Sequence, residues 1–364
     1  MNTRISKSVR TMWRTLPVVA LTSVMGLSFS LALFSSSAQA DQPLSSKVVV
    51  NHPDGTYAPA GAPAKTAEIV TVGMYAVNAY DIDTSANTFQ FKGYIWLRWK
   101  GPINPVSTME FANSVEEWGL TVTNLTDNPL KLANGYQLQQ MRVQGRFFEP
   151  YNLANYPLDN QKMQLTLEDT VNNNTQIVYV PDSSNTTWDS RFKVPGWDIT
   201  GLSVQSTNHN YISNLGDSTS KYNVYSALTF SVDITRAANM FWLKLMLPLI
   251  FVLITSWLAL LLSPKYTEIR TAMPATALLT TVFLQQSSLD AIKGVSTLTL
   301  MDLVYVVAYA TIIVTFGQII WDNHRIKVDA DDVIKKVAYH DRVSFAIQLA
   351  TTIVVFVALL LTHR

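Results

Sequence analysis

The sequence contains no cysteine. That absence excludes a disulfide framework, thiolate metal sites and cysteine nucleophiles. Formal net charge is only +1, so no global field points to nucleic acid or to an acidic partner. The five histidines, His52, His209, His324, His340 and His363, are scattered, and only His209 falls in a candidate binding loop. The sequence has no HExxH zinc pair, nucleophile elbow or glycine-rich phosphate loop. Neither an enzyme nor a cofactor nor a metal site is expected. Asp329, Asp331 and Asp332 lack the ligand spacing of a known metal loop and read as part of a solvated charged link. What is abundant is apolar: 48% of residues are hydrophobic, with the long runs after residue 238 and a mixed polar and aromatic stretch before it.

A length of 364 residues is compatible with about two domains. Residues 1–40 read as a signal peptide. Arg4, Lys7, Arg10 and Arg14 precede the apolar run Leu16–Phe34, and Ala38-Gln39-Ala40 offers a cleavage site before Asp41. Residues 41–66 are proline-rich and read as an irregular lead-in. From Glu68 to Arg236 the pattern is that of strands. Met163, Leu165 and Leu167 alternate with polar residues, as do Leu228, Phe230, Val232 and Ile234. Ile69–Ala79 and Thr88–Trp99 are further candidates, separated by the turn-rich segment Asp81–Asn87. Half-buried strands repeated over this length favour an antiparallel sandwich.

Four apolar segments follow, at about 239–262, 268–291, 298–321 and 343–361, each long enough to span a bilayer. Arg325, Lys327, Lys335, Lys336 and Arg342 place the third link inside, which puts the β-domain and the C-terminus outside. The second segment is unlike the others. Glu268, Ala272, Thr276, Leu279, Phe283, Gln286 and Asp290 recur at four- and three-residue steps, on one side of a helix. An acid at each end of a stripe with small, hydroxyl and amide members points to water. Small and hydroxyl residues also mark helix packing, so the stripe by itself leaves both readings open.

The segment FFEPYNLANYPLDNQKMQLTLED (residues 147–169) carries a Tyr156-Pro157-Leu158-Asp159 turn leading into a strand. Arg236 stands just before the first apolar segment, Pro248 within it and Trp257 near its end. In this order, the chain resembles the prokaryotic pentameric ligand-gated ion channels of the Cys-loop receptor superfamily. The resemblance covers about residues 68–361. The family's two cysteines would align with Glu149 and Met163, so no disulfide closes the loop here.

The resemblance implies an all-β extracellular immunoglobulin-like sandwich followed by an all-α four-helix transmembrane domain. The boundaries are 1–40 for the signal, 41–238 for the ligand-binding sandwich and 239–364 for the helices. It implies a homopentamer in the inner membrane, in contact with lipid, with the β-domain facing the periplasm or exterior. Glu268 and Asp290 would form acidic rings that select monovalent cations, while Leu279 and Phe283 would form an apolar gate. Ala272, Thr276 and Gln286 would complete the lining. Arg270 lies about 200° around the helix from Glu268 and should point away from the lumen. Asp83, Pro157, Asp159, Arg236 and Lys293 would couple the two domains, with Asp159 pairing Arg236. Tyr94, Tyr222 and Tyr225 would contribute to an interface site for a small-molecule or ionic agonist, although Thr170 replaces the family's central tryptophan there. An anchored sensor or adhesion protein is the rival reading.

Overall fold

A computed structural model describes residues 56–60, 63–213, 216, 223–237, 239, 241–292, 297–326 and 331–362. The expected signal peptide, Tyr222 and Lys293 lie outside the described residues. Among the described residues a β-sandwich is followed by helices.

Among the described residues the sandwich has twelve strands. They are β1 Thr56–Pro59, β2 Glu68–Asp83, β3 Thr88–Trp99, β4 Met109–Phe111, β5 Thr121–Asn124, β6 Leu130–Lys131, β7 Gln137–Phe148, β8 Asn160–Asp169, β9 Ile177–Pro181, β10 Thr187–Trp188, β11 Trp197–Tyr211 and β12 Asn223–Arg236. One sheet runs β1-β11-β12-β8-β4; the other runs β10-β2-β3-β7-β5, with β6 on β7 and β9 on β2. Alternation dictates the core. Phe89, Phe91, Ile95, Leu97 and Trp99 of β3 point inward with Met141, Val143 and Phe147 of β7. From the facing sheet come Met163, Leu165 and Leu167 of β8, set opposite Val232, Phe230 and Leu228 of β12. The period of two thus places these apolar residues of each strand on one face.

Two expectations need correction. The sheets are not wholly antiparallel, because β9 and β10 both run parallel to β2. The lead-in is not irregular throughout: Thr56–Pro59 pairs with β11. Pro59 is tolerated because β1 is an edge strand, where a missing N–H leaves no ladder bond unmade.

Three described helices are long and apolar enough to cross a membrane: Phe241–Leu261, Leu300–Arg325 and Asp331–Thr362. The first opens with a wide π-type stretch, Phe241–Met246, ending two residues before Pro248. A proline there withholds one N–H from the preceding turn and favours such a local widening. The Leu300–Arg325 helix, third in chain order after Thr267–Leu289, begins with a capping box. Thr299 Oγ1 accepts from the Asp302 N–H, and Asp302 Oδ2 accepts from the Thr299 N–H.

The fourth helix begins at Asp331, not near 343. Asp331 and Asp332 occupy its exposed first turn, and Asp331 lies 3.7 Å from Lys265. The charged link is therefore shorter than expected, because helical periodicity continues back through its charged residues. The second helix, Thr267–Leu289, is not among the strongly apolar three, since Glu268, Arg270 and its threonines, serines and glutamines dilute it. It packs against the first and third helices.

Candidate functional site

The second helix has two unlike sides. Glu268, Ala272, Thr276, Leu279, Phe283 and Gln286 are all exposed, as is Asp290 in the following turn. Leu279 and Phe283 expose 57% and 65% of their surface, much for residues of this kind. Arg270, Pro274, Ala277, Thr281 and Ser288 are buried. At roughly 100° per residue the stripe falls within about 0–80° of Glu268, with exposed Ile269, Val282 and Leu289 flanking it, and the buried set within about 180–240°. Thr280 and Thr281 donate their hydroxyls to carbonyls one turn back, at Thr276 and Ala277. Those two hydroxyls are thus satisfied within the helix.

Arg270 anchors the buried side and is fully enclosed. Its Nε donates to the Ala259 carbonyl of the first helix at 3.0 Å, and its Nη2 to Asp341 Oδ2 of the fourth at 2.6 Å. Gln318 Nε2 of the third donates to Asp341 Oδ1 at 3.0 Å, and Gln348 Nε2 of the fourth donates to Gln318 Oε1 at 3.3 Å. The Arg270–Asp341 pair, with Gln318, therefore links the four long described helices. Sequence reading turned Arg270 away from the stripe but did not find Asp341. The available signal was Ile334, Val337, Asp341 and Ser344, a buried stripe at helical spacing with an acid in it.

Above the helices, Asp159 and Arg236 come together. Arg236 Nε and Nη2 donate to Asp159 Oδ1 and Oδ2 at 2.7 and 3.1 Å, and the Arg236 N–H donates to the Asp159 carbonyl. The guanidinium lies over the rings of Trp197, at 4.1 Å, and Tyr156, at 4.9 Å. Gln161 Nε2 also donates to Asp159 Oδ2 and to the Asn152 carbonyl. Pro157 is buried and follows a cis peptide bond. The loop ahead of it enters the helical core: Leu153 and Tyr156 pack in one apolar cluster with Phe241, Leu249 and Leu300. The Leu300 N–H donates to the Ala154 carbonyl at 2.9 Å.

Asp83 instead closes its own turn, accepting from the Ser85 and Ala86 N–H groups. Those donors hold its carboxyl below the usual range.

The tyrosines sit apart. Tyr94 faces out of β3, accepting a hydrogen bond from Arg142 Nη2 at 3.1 Å and lying under its guanidinium. Tyr225 faces out of β12 and meets Tyr211 edge-on, with ring centroids 5.6 Å apart. They occupy the outer faces of opposite sheets, so one chain does not bring them together. His209 Nδ1 is 2.7 Å from Glu168 Oε2, a contact that sequence reading did not identify.

Glu149 was read only as a missing cysteine. It is a buried carboxylate, 8% exposed, accepting from the Gln164 N–H at 3.1 Å. Burial pushes its carboxyl up to about 7 against the pull of that donor and of Lys162.

No family model matches the chain. It is 27% identical over 192 residues to pH-sensitive chloride channel 2 of Drosophila melanogaster, covering 51% of this chain and 35% of that protein. It is 22% identical over 209 residues to the Proton-gated ion channel of Gloeobacter violaceus, covering 52% of this chain and 55% of that protein. The chain thus spans less than two thirds of either relative. Both relatives are ion channels, and the resemblance to the pentameric ligand-gated channels stands. With its three apolar helices, the chain is a multi-pass membrane protein.

Proposed function

Starting from that kinship, we propose that the chain assembles as a homopentameric ligand-gated ion channel of the inner membrane, with the β-domain outside. The second helix of each copy crosses the bilayer as a fourth span and lines a shared water-filled axis. One observation carries this reading: the exposed stripe runs the whole length of a helix whose opposite side is buried. In a lone chain in lipid, that stripe would leave Glu268 and Gln286 unsolvated, at a cost of several kcal/mol. Copies surrounding water remove the cost. An agonist then acts in the sandwich, and movement passes through the Asp159–Arg236 junction. Because Tyr94 and Tyr225 lie on opposite outer faces, two neighbouring copies would supply the two halves of an interface site. The relatives' names bring acid forward as the agonist to try first.

Selectivity is the sharper test, since one relative is a chloride channel. Rings of Glu268 and Asp290 concentrate cations and repel anions. Purified protein in a planar bilayer with a potassium chloride gradient should give unitary currents that reverse near the potassium equilibrium potential. Reversal near the chloride potential would sink the acidic-ring assignment, and absence of any unitary current would favour a membrane-anchored sensor.

Leu279 and Phe283 form the gate in this reading. Two apolar rings exclude water from a narrow lumen without plugging it. Replacing Leu279 with serine should wet the constriction and lower the agonist concentration for half-maximal current by about tenfold or more, equivalent to about 1.4 kcal/mol. Unchanged activation with no resting leak would remove Leu279 from the gate.

A further inference from the structure

We propose that the Glu149 carboxylate is a proton-binding site whose occupancy sets the state of the junction loop, an inference resting on the gated-channel reading above. Glu149 sits at the loop's base. Its N–H donates to the Asn87 carbonyl in the β2–β3 turn at 2.8 Å, and the Tyr151 N–H donates to Asn87 Oδ1 at 3.1 Å. Its side chain turns the other way, onto β8, where the Gln164 N–H meets Oε2. Glu149 is thus wedged between the turn that carries Asp83 and the strand that begins beside Asp159. Ten residues on from Glu149, the loop closes at the Arg236 pair, having touched the helices through Leu153, Ala154 and Tyr156.

The charged neighbours do not neutralise it. Lys162 on β8 pulls on the carboxylate, yet its Nζ lies 4.0 Å from Asp233 on β12. Among the described residues no cation is within ion-pair distance of Glu149. Among the described residues the Tyr151 phenol is buried without a hydrogen-bond partner, and burial first, then the charges of Glu149 and Asp83, oppose its ionisation. Arg146 on β7 lies 3.5 Å from Asp81. A single backbone donor is poor compensation for a dry carboxylate. The protonated form suits this packing, and the ionised form favours an arrangement that admits water.

The direction follows from linkage. The group binds its proton up to about 7 in this conformation and up to about 4.5 when hydrated. The conformation is therefore fully favoured below about 4.5, loses ground between about 4.5 and 7, and levels off above. Each pH unit in that window shifts the balance by at most tenfold, for a ceiling of about 300-fold.

The test uses the full chain in lipid nanodiscs and planar bilayers. Hydrogen exchange of residues 151–158, corrected for intrinsic pH dependence, should show protection lost between about pH 4.5 and pH 7, with a midpoint inside that window and no further loss above it. In Glu149→Gln, which is isosteric and always neutral, protection at pH 8 should equal that of the wild type at its low-pH plateau, below about pH 4.5. Where Glu149→Gln fails to fold, Glu149→Met provides a second neutral side chain. A neutral variant that keeps the wild-type midpoint overturns the proposal. So does a variant whose currents keep the wild-type pH response. Should wild type conduct at no pH while the exchange transition is present and vanishes in the variant, the proton site stands and the channel reading falls.

Discussion

Replacing Asp341 with leucine destabilises the helical domain by about 3–5 kcal/mol, because it leaves the Arg270 guanidinium buried without its counter-ion. Arg270 and Asp341 are both fully enclosed, and among the described residues Arg270 Nη1 already lacks a partner. The Ala259 carbonyl and Gln318 offer dipoles but no charge, and the buried Asp322 of the Leu300–Arg325 helix, in electrostatic contact with Arg270, recovers only the part of the loss that its own ionisation supplies. The penalty belongs to the orphaned charge, so the double variant Arg270→Met/Asp341→Leu should recover most of it. Apolar replacements of buried pairs are often neutral or stabilising. Thermal unfolding of detergent-solubilised protein measures both. A single variant as stable as wild type would mean the pair is not dry, and a double variant as weak as the single one would mean the network has a further indispensable member.

The second large effect lies at the junction. Asp159→Ala strips Arg236 of a bidentate partner in a setting where the carboxylate is 1% exposed. Truncating one member of such a pair costs about 3–5 kcal/mol. Arg236 retains the rings of Trp197 and Tyr156, which contribute about 0.5–2 kcal/mol for a cation over an aromatic face. Arg236→Ala should therefore cost more than Asp159→Ala, since it loses the carboxylate and both rings. In a double-mutant cycle read on agonist activation, the two changes should couple by about 1.5 kcal/mol or more. Simple additivity would confine the pair to holding the loop in place, with no part in transmission.

The strands were legible because a period of two is visible wherever one face meets a core: Thr88–Trp99 was read with the bounds the structure gives. β1 was not legible. Four residues ending in proline carry no alternation, and only pairing with β11 makes them a strand. The one-sided second helix could be seen because its charged and apolar members recur at helical steps. The early start of the fourth helix was hidden by charge, since Lys335, Lys336 and Asp341 look like a link until one notices that Asp341 shares a face with Ile334 and Val337. Glu149 was visible as an acid but not as a buried one. Burial there depends on β8 and the β2–β3 turn meeting the end of β7, a coincidence of three distant segments.

Leu153 and Tyr156 have a practical consequence. These side chains belong to the sandwich by sequence but spend their apolar surface among Phe241, Leu249 and Leu300. Severing the chain after Arg236 would leave a soluble fragment with a greasy tip, prone to stick to its own kind. Polar substitution at those two positions is the natural remedy for anyone preparing the sandwich by itself.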